Sequence, residues 1–539
     1  MSFDLVQLNG RKIYEREAGI LMPIFSLPGK YGIGDIGSEA KQFIDILNKS
    51  NQQLWAMLPN GPVGYGNSPY QGISSCAGNH YFISPDTLIK EKILTKDEAI
   101  RDYGTNVQDI DYGKMFTERR KMLECAYKRW IKQGGHREQA FLTFKYKNHD
   151  WLEDYVLFMS IKERFNYRPW YEWPDALKNH DISALNRIRK DDLEKIYFWE
   201  FTQYQFFKQW QDLKEYANDK GIKLIGDMPF YINHDSSDVW GNREIFDLNK
   251  DGSISLFSGI PGPNNTNIRW GNPCYNWDKM KESNYAWFAQ RMQKGAEMYD
   301  IMRIDHAVAF VHYYGIKDIN TPGQWYAGPD MEHRSVTDII DAVARQRKMD
   351  IIVENLGNNT QRTHDLYDQL NWIGMRIFDY VIGDMHYGTR NIHLPSHYPQ
   401  NVAAYTGTHD NESLSSIVSS KTEEELEYIK SYLNVKETKD IVWGAIDTLY
   451  KSAASKVILP LQDVLSLGNE SRICYADDFN RSWRWRLESF NQIDEKIQKR
   501  LQGLSVIGAR GQVAEEMIQT KGWENILNQA IYNRYKMSR

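Results

Sequence analysis

Short apolar, β-prone runs recur along the chain, and many of them end in a polar or charged residue. They lie at Gly19–Ile24, Gln53–Leu58, Lys223–Met228, Ile301–Asp305, Asp350–Glu354, Met375–Asp379, Ala403–Thr408 and Val457–Leu461. Between several of them the pattern turns helical, as in SEAKQFIDILNKS (38–50) and FKQWQDLKEYANDKG (207–221). The second ends on a glycine after a basic last turn, a helix stop signal. Strands alternating with helices make parallel βαβ units. Eight such strands predict the α/β class, a (β/α)8 TIM barrel whose active site sits at the C-terminal ends of its strands.

The strand spacing is uneven. From Leu58 to Lys223 runs a long insertion, of which about 75–195 reads as a mostly helical subdomain (TERRKMLECAYKRWIKQ, AFLTFKYKNHDWLEDYVLFMSIKERF). A second insertion, about 229–298, is rich in Gly, Pro, Asn and Trp and poor in helix signals. Insertions after barrel strands fall on the catalytic face and build substrate clefts. The segment 488–539 reads as helical with no assignable chemistry, and 1–539 is expected to form one catalytic barrel unit.

Composition narrows the partners. With 41% apolar and 25% charged residues, the chain has the usage of an ordinary globular protein with a sizeable core. A net charge of -5 without any Lys/Arg block disfavours nucleic acid, which needs a concentrated basic surface. Cys76, Cys125, Cys274 and Cys474 form no CxxC pair, which fits a reducing compartment. The N-terminus carries no apolar signal core, and no apolar run approaches the roughly eighteen residues of a membrane span. A soluble, cytoplasmic protein is expected. Aromatic residues make up 13%; they supply core, and their planes also suit the apolar faces of sugar rings.

Three carboxyl groups stand at strand ends. Asp305 lies in IMRIDHAVAF, where Arg303 would share its strand face and keep it ionised by charge pairing. Glu354 closes DIIVENLG at the rim of an apolar barrel, where desolvation would raise its pKa as a general acid requires. Asp410 follows the seventh strand in YTGTHDNES. Each alone also reads structurally, Arg303–Asp305 as a salt bridge and Glu354 as a buried partner of a barrel cation. Together they supply what glycoside transfer needs: a nucleophile, an acid/base and an anion facing an oxocarbenium-like transition state.

The sequence resembles the amylomaltase (4-α-glucanotransferase) family over nearly all of its length to about Leu487. The resemblance is carried by GILMPIFSLPGKYGIGDIG, LPNGPVGYGNSPYQGISSCAGNHYFIS, GDMPFYINHDSSDVWGN, RWGNPCYNW, RIDH, VENLG, GMRIFDY, HLPSHYPQNVAAYTGTHDNES and LPLQDVLSLG, in that order. It implies transfer of α-1,4-glucan segments through a covalent glucosyl-enzyme, with no cofactor and no metal. By matching position it implies Asp305 as nucleophile, Glu354 as acid/base and Asp410 as the group that holds the distorted sugar. Arg303 would orient Asp305, and His409 and Asp227 would bind sugar hydroxyls. Ser68 and Tyr70 would contact sugar, with Tyr70 a stacking platform, and Trp270 would line the cleft. Four places depart from the family pattern: Ala307–Val308–Ala309 before Phe310, Asn355 after Glu354, Gly259–Asn264, and Cys474–Asp478. They touch the acceptor subsites and the lid over the cleft, hence chain-length preference.

Other readings are weaker. Gly32, Gly34 and Gly37 spell GxGxxG, but the next strand ends in Pro59 and Asn60 instead of the acidic residue a dinucleotide site wants. No GxSxG marks an esterase. Asp305–His306 and His409–Asp410 do not make a ready metal cluster, because adjacent residues on a strand face opposite sides. His306 therefore reads as a supporting or packing residue. An α-1,4-glucan hydrolase with water as acceptor, and a non-catalytic glucan-binding protein, remain the rival functions.

Overall fold

A computed structural model describes residues 15–64, 66–357, 359–383, 390–475 and 478–511. Eight parallel strands close a barrel in sequential order: β1 Glu17–Leu21, β2 Leu54–Ala56, β3 Lys223–Met228, β4 Ile301–Ile304, β5 Asp350–Val353, β6 Ile373–Ile377, β7 Val402–Tyr405 and β8 Lys456–Pro460. Every expected strand is present, shifted by a few residues at its ends. Gly19–Ile24 moves back to 17–21 because Ile24–Ser26 already turns as a short helix. Met375–Asp379 ends at Ile377, since Asp379 opens the helix Asp379–Gly383.

The barrel closes because its strands are apolar on both faces and its helices are apolar on one. Helix Ser38–Lys49 buries Ala40, Phe43, Ile44 and Leu47, a helical stripe, and sets the Phe43 ring 5.0 Å from that of Trp55 on β2. The N-terminal end of the barrel is sealed by the start of the tail. Helix Glu495–Ile507 packs there, and buried Arg510 donates to the carbonyls of Glu17, Tyr450, Ser452 and Ser455. The tail beyond Gly511 lies outside the described residues.

The insertions stand at the other end. Between β2 and β3 the chain forms helices, among them Arg120–Lys132, His149–Arg164 and Leu193–Asp219, around buried Trp130, Phe141, Tyr155 and Trp199. The segment 229–298 is less helix-poor than its composition suggests, because its last part is the helix Ala286–Met298. The loops after β3 and β4 also join in a four-stranded antiparallel sheet, in the order 267–273, 257–261, 312–316, 324–327. Among the described residues no helix is long and apolar enough to cross a membrane.

Candidate active site

Strand register builds the centre of the site. Asp227 on β3 lies opposite Arg303 on β4, so both side chains enter the barrel mouth at one level. Arg303 Nη1 donates to both Asp227 oxygens at 2.6 Å. Its Nη2 reaches two further carboxyls, Glu354 Oε2 at 2.8 Å and Asp305 Oδ1 at 3.1 Å. Asp305 and Glu354 are the first residues past β4 and β5, with backbone N–H groups still bonded to Met228 O and Ile304 O. One buried guanidinium thus holds three carboxyl groups drawn from three neighbouring strands.

That crowding fixes the protonation order. Burial alone would lower the Arg303 guanidinium, but Asp227, Tyr70, Glu354 and Asp305 hold it well above its ordinary value. Burial pushes Asp305 well above the usual carboxylate range; Arg303 opposes this, while Glu354 and Asp227 add to it. Burial also acts on Glu354, but Arg303, the His306 N–H (3.0 Å) and Asp305 bring it down to about 2. The two carboxyls face each other closely enough to share a hydrogen bond, with Asp305 held high and Glu354 held low. The sequence expectation of a raised Glu354 beside an ionised Asp305 is therefore reversed here. Its physical reason is that the one cation bonds Glu354 more closely than Asp305 and a backbone N–H joins it.

Asp410 reaches the same mouth along a relay. Tyr70 Oη donates to Asp227 Oδ2 at 2.7 Å, and its ring stacks on His409 with centroids 5.0 Å apart and planes 14° from parallel. His409 Nε2 stands 3.2 Å from Asp410 Oδ1, whose side chain is exposed at the mouth. Trp483 completes this wall, 5.9 Å from Tyr70 and 6.0 Å from His409. Arg472 holds the loop from below, donating to Asp410 O at 3.1 Å and Glu412 Oε1 at 3.2 Å. Neither Trp483 nor Arg472 was legible in the sequence, since both come from a segment without a recognisable motif.

Trp270 faces the opposite side. It lies on the strand Asn267–Pro273, half-buried, with its ring 4.8 Å from His306 and nearly perpendicular to it. His306, in a left-handed conformation with φ 43°, gives its N–H to Glu354 and is lowered to about 4 by burial. Ser68 is half-buried at the start of the short helix Pro69–Gln71, which places Tyr70. Asn355 Oδ1 accepts from Met375 N on β6 at 2.8 Å, so the amide that replaces the usual acid bonds the neighbouring strand. Ala307–Phe310 form one buried 3-10 turn. Of the remaining departures, residues 476–477 lie outside the described residues.

An eight-stranded barrel with paired carboxyls at its mouth and aromatic rings on both sides has the parts of a carbohydrate-active barrel enzyme. The comparisons specify which. The sequence profile of the 4-alpha-glucanotransferase family matches residues 22–492. A 4-alpha-glucanotransferase of Clostridium butyricum is 38% identical over 492 residues, covering 89% of this chain and 98% of that protein. One from Streptococcus pneumoniae is 34% identical over 94% of this chain and 99% of its own length. The structure of an amylomaltase from Streptococcus agalactiae in complex with acarbose superposes with a TM-score of 0.86 at 34% identity, over 92% of this chain and all of that one. The chain belongs to the 4-alpha-glucanotransferase family and is an enzyme of that kind.

Proposed function

We propose that the enzyme moves segments of α-1,4-glucan between chains by double displacement, with Asp305 as nucleophile and Glu354 as acid and then base. The observation that carries this reading is the shared Arg303 Nη2. It draws one oxygen of each carboxyl to the same nitrogen, so the two groups stand close together, as in retaining enzymes and unlike the roughly 6.5–9.5 Å of inverting ones. A water cannot be lodged between carboxyls so close, whereas a glycosidic bond lying across them meets a nucleophile on one side and an acid on the other.

The order of events follows from the two carboxyls' roles. A donor glucan entering the mouth displaces the Asp305–Glu354 hydrogen bond, and attack requires Asp305 ionised beside Arg303 and a proton on Glu354. Asp305 attacks the anomeric carbon while Glu354 protonates the leaving oxygen. Glu354 then takes the proton of the acceptor hydroxyl that opens the ester. Asp227, His409 and Asp410 hold hydroxyls of the reacting sugar, and Tyr70 and Trp270 flank it. Binding an acceptor in the cleft gives its hydroxyl an effective concentration that free water lacks, so transfer outpaces hydrolysis. The superposed amylomaltase is in complex with acarbose, which supports a glucan occupant. The four cysteines are all free, in keeping with a cytoplasmic enzyme.

Incubation with maltotriose tests the reaction. The expected products are glucose and a ladder of chains longer than the substrate. Glucose and maltose without longer chains would make the protein a hydrolase, and an unchanged substrate that still binds would make it a glucan-binding protein.

A further inference from the structure

The antiparallel sheet beside the mouth carries an aromatic face that none of the roles above uses. On its edge strand Gln324–Ala327, Trp325 is 44% exposed. The ring is not loose. It lies opposite Tyr314 in the register, with centroids 5.4 Å apart, and 5.1 Å from His312. Tyr314 is itself fixed, buried and donating its hydroxyl to Asn267 Oδ1 at 3.1 Å. Trp325 is therefore an indole supported from beneath and open above, the form of a stacking platform.

The face lies one short turn from the site. The 3-10 turn Ala307–Phe310 leads from His306, which follows Asp305 and packs against Trp270, to His312, which packs against Trp325. Within Gln324–Ala327 Trp325 is the one exposed large hydrophobic side chain. A single open indole fits a sugar ring, with its apolar faces and polar rim, better than it fits a broad apolar protein surface.

We infer that Trp325 is an outer subsite, stacking a distal sugar of the same α-1,4-glucan whose reacting end lies at Asp305. This rests on the glucanotransferase reading and adds a length preference to it. Asp305→Asn protein, in which glucans are not consumed, allows binding to be measured by calorimetry with maltotriose and maltoheptaose. Adding Trp325→Ala is expected to reduce the ratio of maltoheptaose to maltotriose affinity about tenfold, the scale of one stacked ring, and Trp325→Phe to restore most of it. An unchanged ratio would overturn the subsite, whether binding stays intact or both sugars weaken together through damage to the sheet. If the Asp305→Asn parent with Trp325 intact binds neither sugar, the glucan reading fails and the subsite falls with it.

Discussion

Replacing Asp305 by Asn is expected to abolish transfer from maltotriose, with kcat falling on the order of 10⁴- to 10⁶-fold, the scale of removing a covalent nucleophile. The substitution is close to isosteric. The amide oxygen can still accept from Arg303 Nη2, now 3.1 Å from Asp305 Oδ1, and the amide nitrogen can donate to Glu354. Burial already disfavours a charge at this position, so a neutral amide suits it. Folding should therefore survive: the melting temperature stays near that of the wild type while turnover disappears. An Asp305→Asn enzyme retaining more than about one hundredth of wild-type turnover would remove Asp305 from the chemistry.

Arg303→Lys is the second large effect, for a different reason. A lysine is a point charge without the planar fork that reaches Asp227 with one nitrogen and Asp305 and Glu354 with the other. Turnover should fall about a thousandfold, because both the nucleophile and the acid lose their shared support. Arg303→Ala should in addition be less stable by about 3–5 kcal/mol at neutral pH, since it leaves buried carboxylates without a cation. The sign follows from the direction of the shifts. Without Arg303 the folded carboxyls titrate higher than in the unfolded chain, so the stability loss is largest where they are ionised and is relieved as pH falls through their raised values. Urea unfolding at neutral and acidic pH measures this. A loss independent of pH would show that Arg303 acts through packing alone.

The barrel was readable because each of its strands is a local event: an apolar run bounded by a polar residue, with a helix following. The antiparallel sheet was not. Its strands 257–261 and 267–273 are FSGIP and NIRWGNP, whose glycines, prolines and asparagines are ordinary loop signals. They pair with each other, and only 257–261 also pairs with 312–316, more than fifty residues on; that long-range pairing leaves no period in the sequence.

The same distinction divides the site. Asp305, Glu354 and Asp410 could be picked out as carboxyl groups at strand ends, and the structure brings them to one mouth. The cross-strand register of Asp227 and Arg303, which sets one guanidinium under three carboxyls, joins residues too far apart for spacing to reveal. Without it, burial seemed to decide the Glu354 pKa. With it, the closer cation and the His306 N–H bring Glu354 down. Trp483, at φ 67°, joins the wall of Tyr70 and His409 from a turn no motif announces.

The central claim is a covalent bond between glucan and Asp305, and trapping it is the most direct test. A ring-fluorinated α-glycosyl fluoride forms such an ester quickly and releases it slowly, so brief incubation, acid quench and peptide mass spectrometry locate the sugar. One glycosyl group per chain is expected, on the Asp305 carboxyl and absent from Asp305→Asn protein. A glycosyl group on Glu354 or Asp410, or rapid turnover of the reagent with no labelled peptide, would contradict it.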